Sequence, residues 1–138
     1  MLFQRLKERR LVHYDAERVV TQSLDDCLRN QLVGVRLQIT PVGDAQVFEQ
    51  FMIRTRGRGL NAVIIGIGSR NPDPDENPDL FAAMAYFSMG FKLPAIIYSH
   101  ARPNITKLYR YVSRSSGVMS LAAAVQEVLD LPAHYNYQ

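Results

Sequence analysis

The chain is poor in the residues that would announce a chemistry. Cys27 is its only cysteine in 138 residues, which excludes an internal disulfide and fits a reducing compartment. His13, His100 and His134 lie far apart, and none has a second ligand at helical spacing, so no metal site is expected. No apolar run approaches the roughly 18 residues that a membrane span needs, so no membrane partner is expected. The opening "MLFQRLKERRLVHYDAERVV" is basic but lacks an apolar core followed by small residues, and does not read as a secretory signal. A cytoplasmic location is expected. Acidic residues are missing altogether from Leu80 to Gln126, while Lys92, Arg102, Lys107, Arg110 and Arg114 all fall there.

Recognisable catalytic sets are missing too. Ser69, Ser99 and Ser113 lack the Gly-x-Ser-x-Gly setting of a nucleophile elbow. Cys27 sits on the apolar stripe of a helix and reads as a buried structural thiol. Asp73, Asp75, Glu76 and Asp79 crowd into "SRNPDPDENPD", but its prolines break the frame of a calcium loop. Neither a catalytic residue nor a cofactor is expected.

What remains is an ordinary globular balance: 47% apolar residues, 21% charged residues and a formal charge of +3. It predicts one mixed α-β domain over residues 1–138, with a basic segment 1–14 and a short tail 132–138. Asp15 is a plausible N-cap for a helix running to Leu32, because Val20, Leu24, Cys27 and Leu28 recur at helical spacing. "VRLQIT" alternates as a strand with one wet face, whereas "DAQVFEQFMIR" fits either a helix or a strand. "RTRGRG", with Arg54, Arg56 and Arg58, must be a loop. "NAVIIGI" is a continuous β-branched run, hence a strand buried on both faces.

Alanine and methionine favour a helix over Leu80–Met89, with Gly90 as its stop, although two successive strands also fit. Ala95 to Ser99 reads as a strand, and "HARPNITKLYRYVSRSSG" as a long basic connection. Ser120 is placed as the cap of a last helix over about 120–130. The fold class is therefore a central β-sheet between an N-terminal and a C-terminal helix.

The turn Gly66-Ile67-Gly68-Ser69 is the sharpest local feature. A dinucleotide fingerprint needs a third glycine opening a helix, but Asn71 stands there and Pro72 and Pro74 follow. Gly66 is better explained by a neighbouring backbone or large side chain that comes close to it.

Two family resemblances attach to these residues. A strand, an acidic loop, the helix "LFAAMAYFSMG" and a second strand resemble the centre of nucleoside 2-deoxyribosyltransferases. That likeness implies nucleoside binding and a carboxylate nucleophile, for which Ala82 stands at the matching place and Asp75, Glu76 and Asp79 lie nearby. The order of an N-terminal helix, "NAVIIGIG", "IIYSHARP" and "GVMSLAAAVQEVLDLP" resembles the tail-terminator (tail-completion) proteins of tailed phages. It implies a non-enzymatic virion subunit that closes into a homo-oligomeric ring with other assembly proteins. Under that reading the acidic loop Asp73, Asp75, Glu76, Asp79 meets the basic strip Arg102, Lys107, Arg110, Arg114 of the next copy. A third reading puts nucleic acid against that strip together with Arg54, Arg56 and Arg58.

Overall fold

The computed structural model of the chain describes residues 7–31, 34–106 and 108–129. In chain order the elements are β1 (Lys7–Tyr14), α1 (Arg18–Gln31), β2 (Val35–Val42), α2 (Ala45–Thr55) and β3 (Ala62–Ile67). They continue with α3 (Pro78–Ser88), β4 (Ala95–Ser99), β5 (Arg110–Ser113) and α4 (Val118–Val128). The five strands form one sheet in the order 2-1-3-4-5, and all four pairings are parallel. That is the flavodoxin-like form of the doubly wound α/β fold. The described residues thus build a central sheet with a helix near each end.

Burial explains the strand sequences. Every residue of β3 and β4 is buried, as their unbroken apolar runs require for strands covered on both faces. Ile64 and Ile96 face the layer of α1 and α4, with Leu11, Leu24, Leu28, Leu121 and Val125. Val63, Ile65 and Ile97 face the layer of α2 and α3, with Phe48, Met52, Ala83 and Tyr86. Each such aliphatic side chain contributes roughly 1.5–3 kcal/mol by leaving water. Edge strand β2 buries only Leu37 and Val42 and tolerates Pro41, because an edge needs no outward N–H.

Caps fix the helix starts. The Asp44 carboxylate accepts from the N–H groups of Gln46 and Val47 at 2.9 and 3.0 Å, which settles the ambiguous "DAQVFEQFMIR" as helix α2. Asn77 caps α3 by accepting from Leu80 N–H at 3.2 Å, and Pro78 supplies the fixed φ of the first helical position. Gly90, at φ +76°, ends it.

Several expectations need correction. The first helix begins at Arg18, not beside Asp15, because Asp15 still pairs with β2 through its N–H to Val42 O at 3.0 Å. Residues 7–14 of the basic N-terminal segment are strand β1, whose Leu11, Val12, His13 and Tyr14 are buried. The connection after His100 is not wholly irregular: Arg110–Ser113 adds strand β5. The last helix is capped by Gly117; the Ser120 hydroxyl instead donates back to Ser116 O at 3.2 Å. Segment 132–138 lies outside the described residues.

One crossover is unusual. Parallel strands are generally joined by a dozen or more residues that include a helix. Between β4 and β5 only ten residues, 100–109, make the return, with no helix among the described ones.

Candidate functional site

In a sheet of this order, ligands collect where the carboxyl ends of β1 and β3 diverge. Four of the five strands deliver a distinctive side chain or gap to that point. β1 ends in His13-Tyr14 and leads into Asp15, and β3 ends at Gly66-Ile67 and runs into Gly68. Ser99 closes β4, and Arg114 follows β5 at once.

Asp15 and Arg114 join across the sheet, 99 positions apart in the chain. Arg114 Nη1 donates to Asp15 Oδ2 at 2.9 Å, and Nη2 donates to Glu17 Oε1 at 3.1 Å. Nη1 also reaches Tyr98 O at 3.3 Å, and the guanidinium lies 4.8 Å from the Tyr98 ring centroid. The other Asp15 oxygen accepts from Glu17 N–H at 2.9 Å. Side-chain exposure is 2% for Asp15 and 7% for Arg114. Burial raises the Asp15 carboxyl, against the pull of Arg114 and the Glu17 N–H. Its carboxylate ties Arg114 the more firmly to its proton, over the opposing effect of burial.

The pair is possible because residue 66 has no side chain. A Cβ there would lie 2.6 Å from the Asp15 carboxyl carbon and 3.0 Å from Arg114 Nη1, with Asp15 Oδ2 closer still. The carboxylate that occupies the end of β3 is therefore lent by β1. A second carboxylate braces the same turn: Asp79, in the first turn of α3, accepts from Gly68 N–H at 3.0 Å and from the Tyr14 hydroxyl. Burial first, and Asp79 second, raise the Tyr14 phenol well above its usual range.

Beneath the pair lies His13, fully buried, with Nε2 4.0 Å from Asp15 Oδ2 and no hydrogen-bond partner on either ring nitrogen. Burial, aided by the Arg114 charge, lowers its pKa to about 3, so it is neutral. The Ser99 hydroxyl is engaged with its own loop, donating to Ala101 O at 2.6 Å. Among the described residues no group of three His, Cys, Asp or Glu is disposed to hold a metal ion.

The sequence-derived candidates are dispersed by this fold. Gly66, Gly68 and Ser69 do lie at the switch point, but Asp15 fills the space in front of Gly66. Asp73 caps a short 3-10 turn at Pro74–Glu76 by accepting from Asp75 N–H, Glu76 accepts from the Asn71 amide, and Asp79 turns inward. Of the basic strip, Arg114 is buried in the ion pair and Arg102 stacks over Tyr111, 5.0 Å from its centroid. Arg110 sits at the opposite end of the sheet, paired with Glu127 at 3.3 Å, and Lys107 lies outside the described residues. Arg54, Arg56 and Arg58 are exposed, also at the amino ends of the strands.

The sequence does not announce Asp15 and Arg114 as partners: the one reads as a helix cap and the other as a surface cation. The available signal was a charged residue closing each of two short apolar runs, "LVHYD" and "YVSR".

No family model and no curated protein matches the chain. Solved structures do match, on fold. One is the signal receiver domain of an HD domain-containing protein from Pseudomonas fluorescens Pf-5. It shows 17% identity and a TM-score of 0.59 over 94% of this chain and 91% of that one. A response regulator receiver protein from Sinorhizobium medicae WSM419 shows 14% identity and a TM-score of 0.62 over 91% and 97%. A response regulator receiver domain protein from Methanospirillum hungatei JF-1 gives 12% and 0.59 over 90% and 95%. The likeness is to signal receiver domains.

That finding overturns both family resemblances. The solved structures that share this fold are receiver domains, so the tail-terminator reading falls, and the virion and ring roles with it. The deoxyribosyltransferase reading fails as well. Ala82, at the nucleophile's place, is packed in the core, and Asp79 is held by Tyr14 and Gly68. The nucleic-acid reading needed one basic surface, and its cations stand at opposite ends of the sheet. No helix among the described residues is long and apolar enough to cross a membrane.

Proposed function

We propose that this chain is a signal-receiver-type module that works by protein contact and is not switched by phosphoryl capture. The receiver-like architecture supports the first half. The Asp15–Arg114 ion pair over Gly66 supports the second, and it is the observation that carries the reading. A phosphoryl-accepting site here would need a free carboxylate as nucleophile and oxygen ligands for a divalent cation. β3 supplies no carboxylate at its end, and Asp15 has both oxygens engaged. Arg114 thus supplies at this point the positive charge that balances Asp15, with no added phosphoryl group needed.

Incubation with an acyl phosphate and Mg²⁺, followed by intact-mass measurement at acid pH, tests this. The expected result is no phosphoryl adduct. A hydroxylamine-sensitive adduct on Asp15 or any other carboxylate would sink it.

We propose further that the module acts in the cytoplasm and that its partners include a second copy of itself. Phe81 and Met84, one turn apart on α3 and 51% and 42% exposed, support an apolar contact. Light scattering across a concentration series tests the self-association; a constant monomer mass would remove that part of the reading.

A further inference from the structure

The parallel sheet sorts charge by end. Where the strands begin, the fold gathers Arg9 from β1, Arg36 from β2, Arg54 from the end of α2, Arg56 and Arg58 from the α2–β3 turn, and Lys92 from the α3–β4 turn. Two contacts tie the turns together. Arg10 Nη1 lies 3.9 Å from where a Gly59 Cβ would be, and the Leu93 side chain packs against Gly57. None of these six cations has a salt bridge among the described residues. Among the described residues at this end, the carboxylates Glu8 and Glu127 are already paired with Arg10 and Arg110.

Helix dipoles account for part of this. The carboxyl ends of all four helices point to the amino edge of the sheet, where cations are favoured by about 0.3–1 kcal/mol each within the last turn. Arg54 is in such a turn. Arg9 and Arg36 are on strands, and Arg58 and Lys92 lie beyond the helices, so the dipoles leave most of the charge unexplained.

We propose that this amino-edge surface docks an acidic segment of a partner protein. Five of the six cations are arginines, whose forks pair with carboxylates in two-point geometry. An arginine at this end already engages a carboxylate through two nitrogens: Arg10 Nε and Nη2 both donate to Glu8 Oε1, at 3.1 and 2.7 Å. The turns 56–61 and 89–94 hold one aromatic ring, Phe91, and it packs inward 5.8 Å from the Tyr86 ring instead of offering a face to bases, which favours carboxylates over nucleic acid. The surface lies at the end of the sheet opposite the Asp15–Arg114 pair, so the inference does not rest on that pair's role.

The test is fluorescence anisotropy with a labelled glutamate-rich peptide at low salt, beside a DNA duplex and phosphatidylserine vesicles of matched charge. The triple variant Arg36→Gln, Arg54→Gln, Arg58→Gln removes exposed charges outside the core, and circular dichroism checks its fold. Peptide binding should weaken about tenfold in the triple variant, from modest contributions of three surface ion pairs. It should be unchanged in Arg70→Gln/Arg102→Gln, at the other end of the sheet. No peptide binding, or binding insensitive to the triple variant, overturns the proposal. So does tighter binding of the duplex or the vesicles than of the peptide.

Discussion

Asp15 and Gly66 are complementary across two strands: the carboxyl group of the one occupies the side-chain space of the other. Adding a methyl group at residue 66 must displace a buried, ion-paired carboxylate. Gly66→Ala should therefore destabilise the domain by about 2–3 kcal/mol, in the upper range for overpacking. In an Asp15→Ala background the same substitution should cost at least about 1 kcal/mol less, because the obstructing group is gone. Urea denaturation of the four proteins of this cycle measures the coupling. Equal costs in both backgrounds would mean that the two residues do not contend for one space.

Arg114 offers a complementary test. Replacing it by Met leaves Asp15 buried without its cation, and breaking such a pair costs about 3–5 kcal/mol. Adding Asp15→Asn to Arg114→Met should restore part of that loss, since the stranded charge is then removed. A double variant no more stable than Arg114→Met would contradict the account of the pair.

His13 predicts a pH dependence. In the unfolded chain it titrates near pH 6.5, and in the folded one near 3, so between these values the unfolded state binds the extra proton. Stability from this group is complete above pH 6.5 and is lost as pH falls toward 3, at up to about 1.4 kcal/mol per pH unit. Between pH 7 and 5 the wild-type protein should lose about 2 kcal/mol more than His13→Leu. At pH 7 that variant should be as stable as wild type or better, because neither ring nitrogen has a partner to lose. Parallel acid-limb profiles in the two proteins would refute the assignment.

Two tyrosines in one layer should behave oppositely. Tyr14→Phe takes a hydrogen bond from buried Asp79 and should cost about 1–3 kcal/mol. The Tyr86 hydroxyl is buried without a partner, and burial pushes its pKa up to about 12. Tyr86→Phe should therefore be neutral or stabilising. Thermal melts of both variants are sufficient, and a costly Tyr86→Phe would show that its hydroxyl has a partner after all.

The fold was more legible in the sequence than the site. Burial leaves a local record: "NAVIIGI" and "AIIYS" show two-sided burial in four or five consecutive residues, and Gly90 marks a helix end by itself. β1 was harder, because "KERR" hides the strand start behind four consecutive charged residues. β5 has only four residues inside a polar stretch and one buried side chain, Val112, too few for any periodicity to register. The site is a relation between residues from β1, β3 and the segment after β5. Nothing near Asp15 in the chain indicates that residue 66 would be empty beneath it or that Arg114 would arrive above it. The gathered cations of the amino edge were hidden for the same reason: five separate segments contribute them.

The short return between β4 and β5 gives the last strand a mechanical character. β5 is held on one side only, through the pairs Ile96↔Arg110 to Ser99↔Ser113, and Arg114 is its next residue. A short edge strand with few buried side chains opens at a lower free energy than the centre of a sheet. Any molecule that pulls on residues 100–109 therefore acts on a four-residue lever whose far end is the guanidinium clamped to Asp15. The tether fastening the clamp is the shortest strand in the sheet, so strain applied at the surface has only four residues to cross before it meets the buried charge.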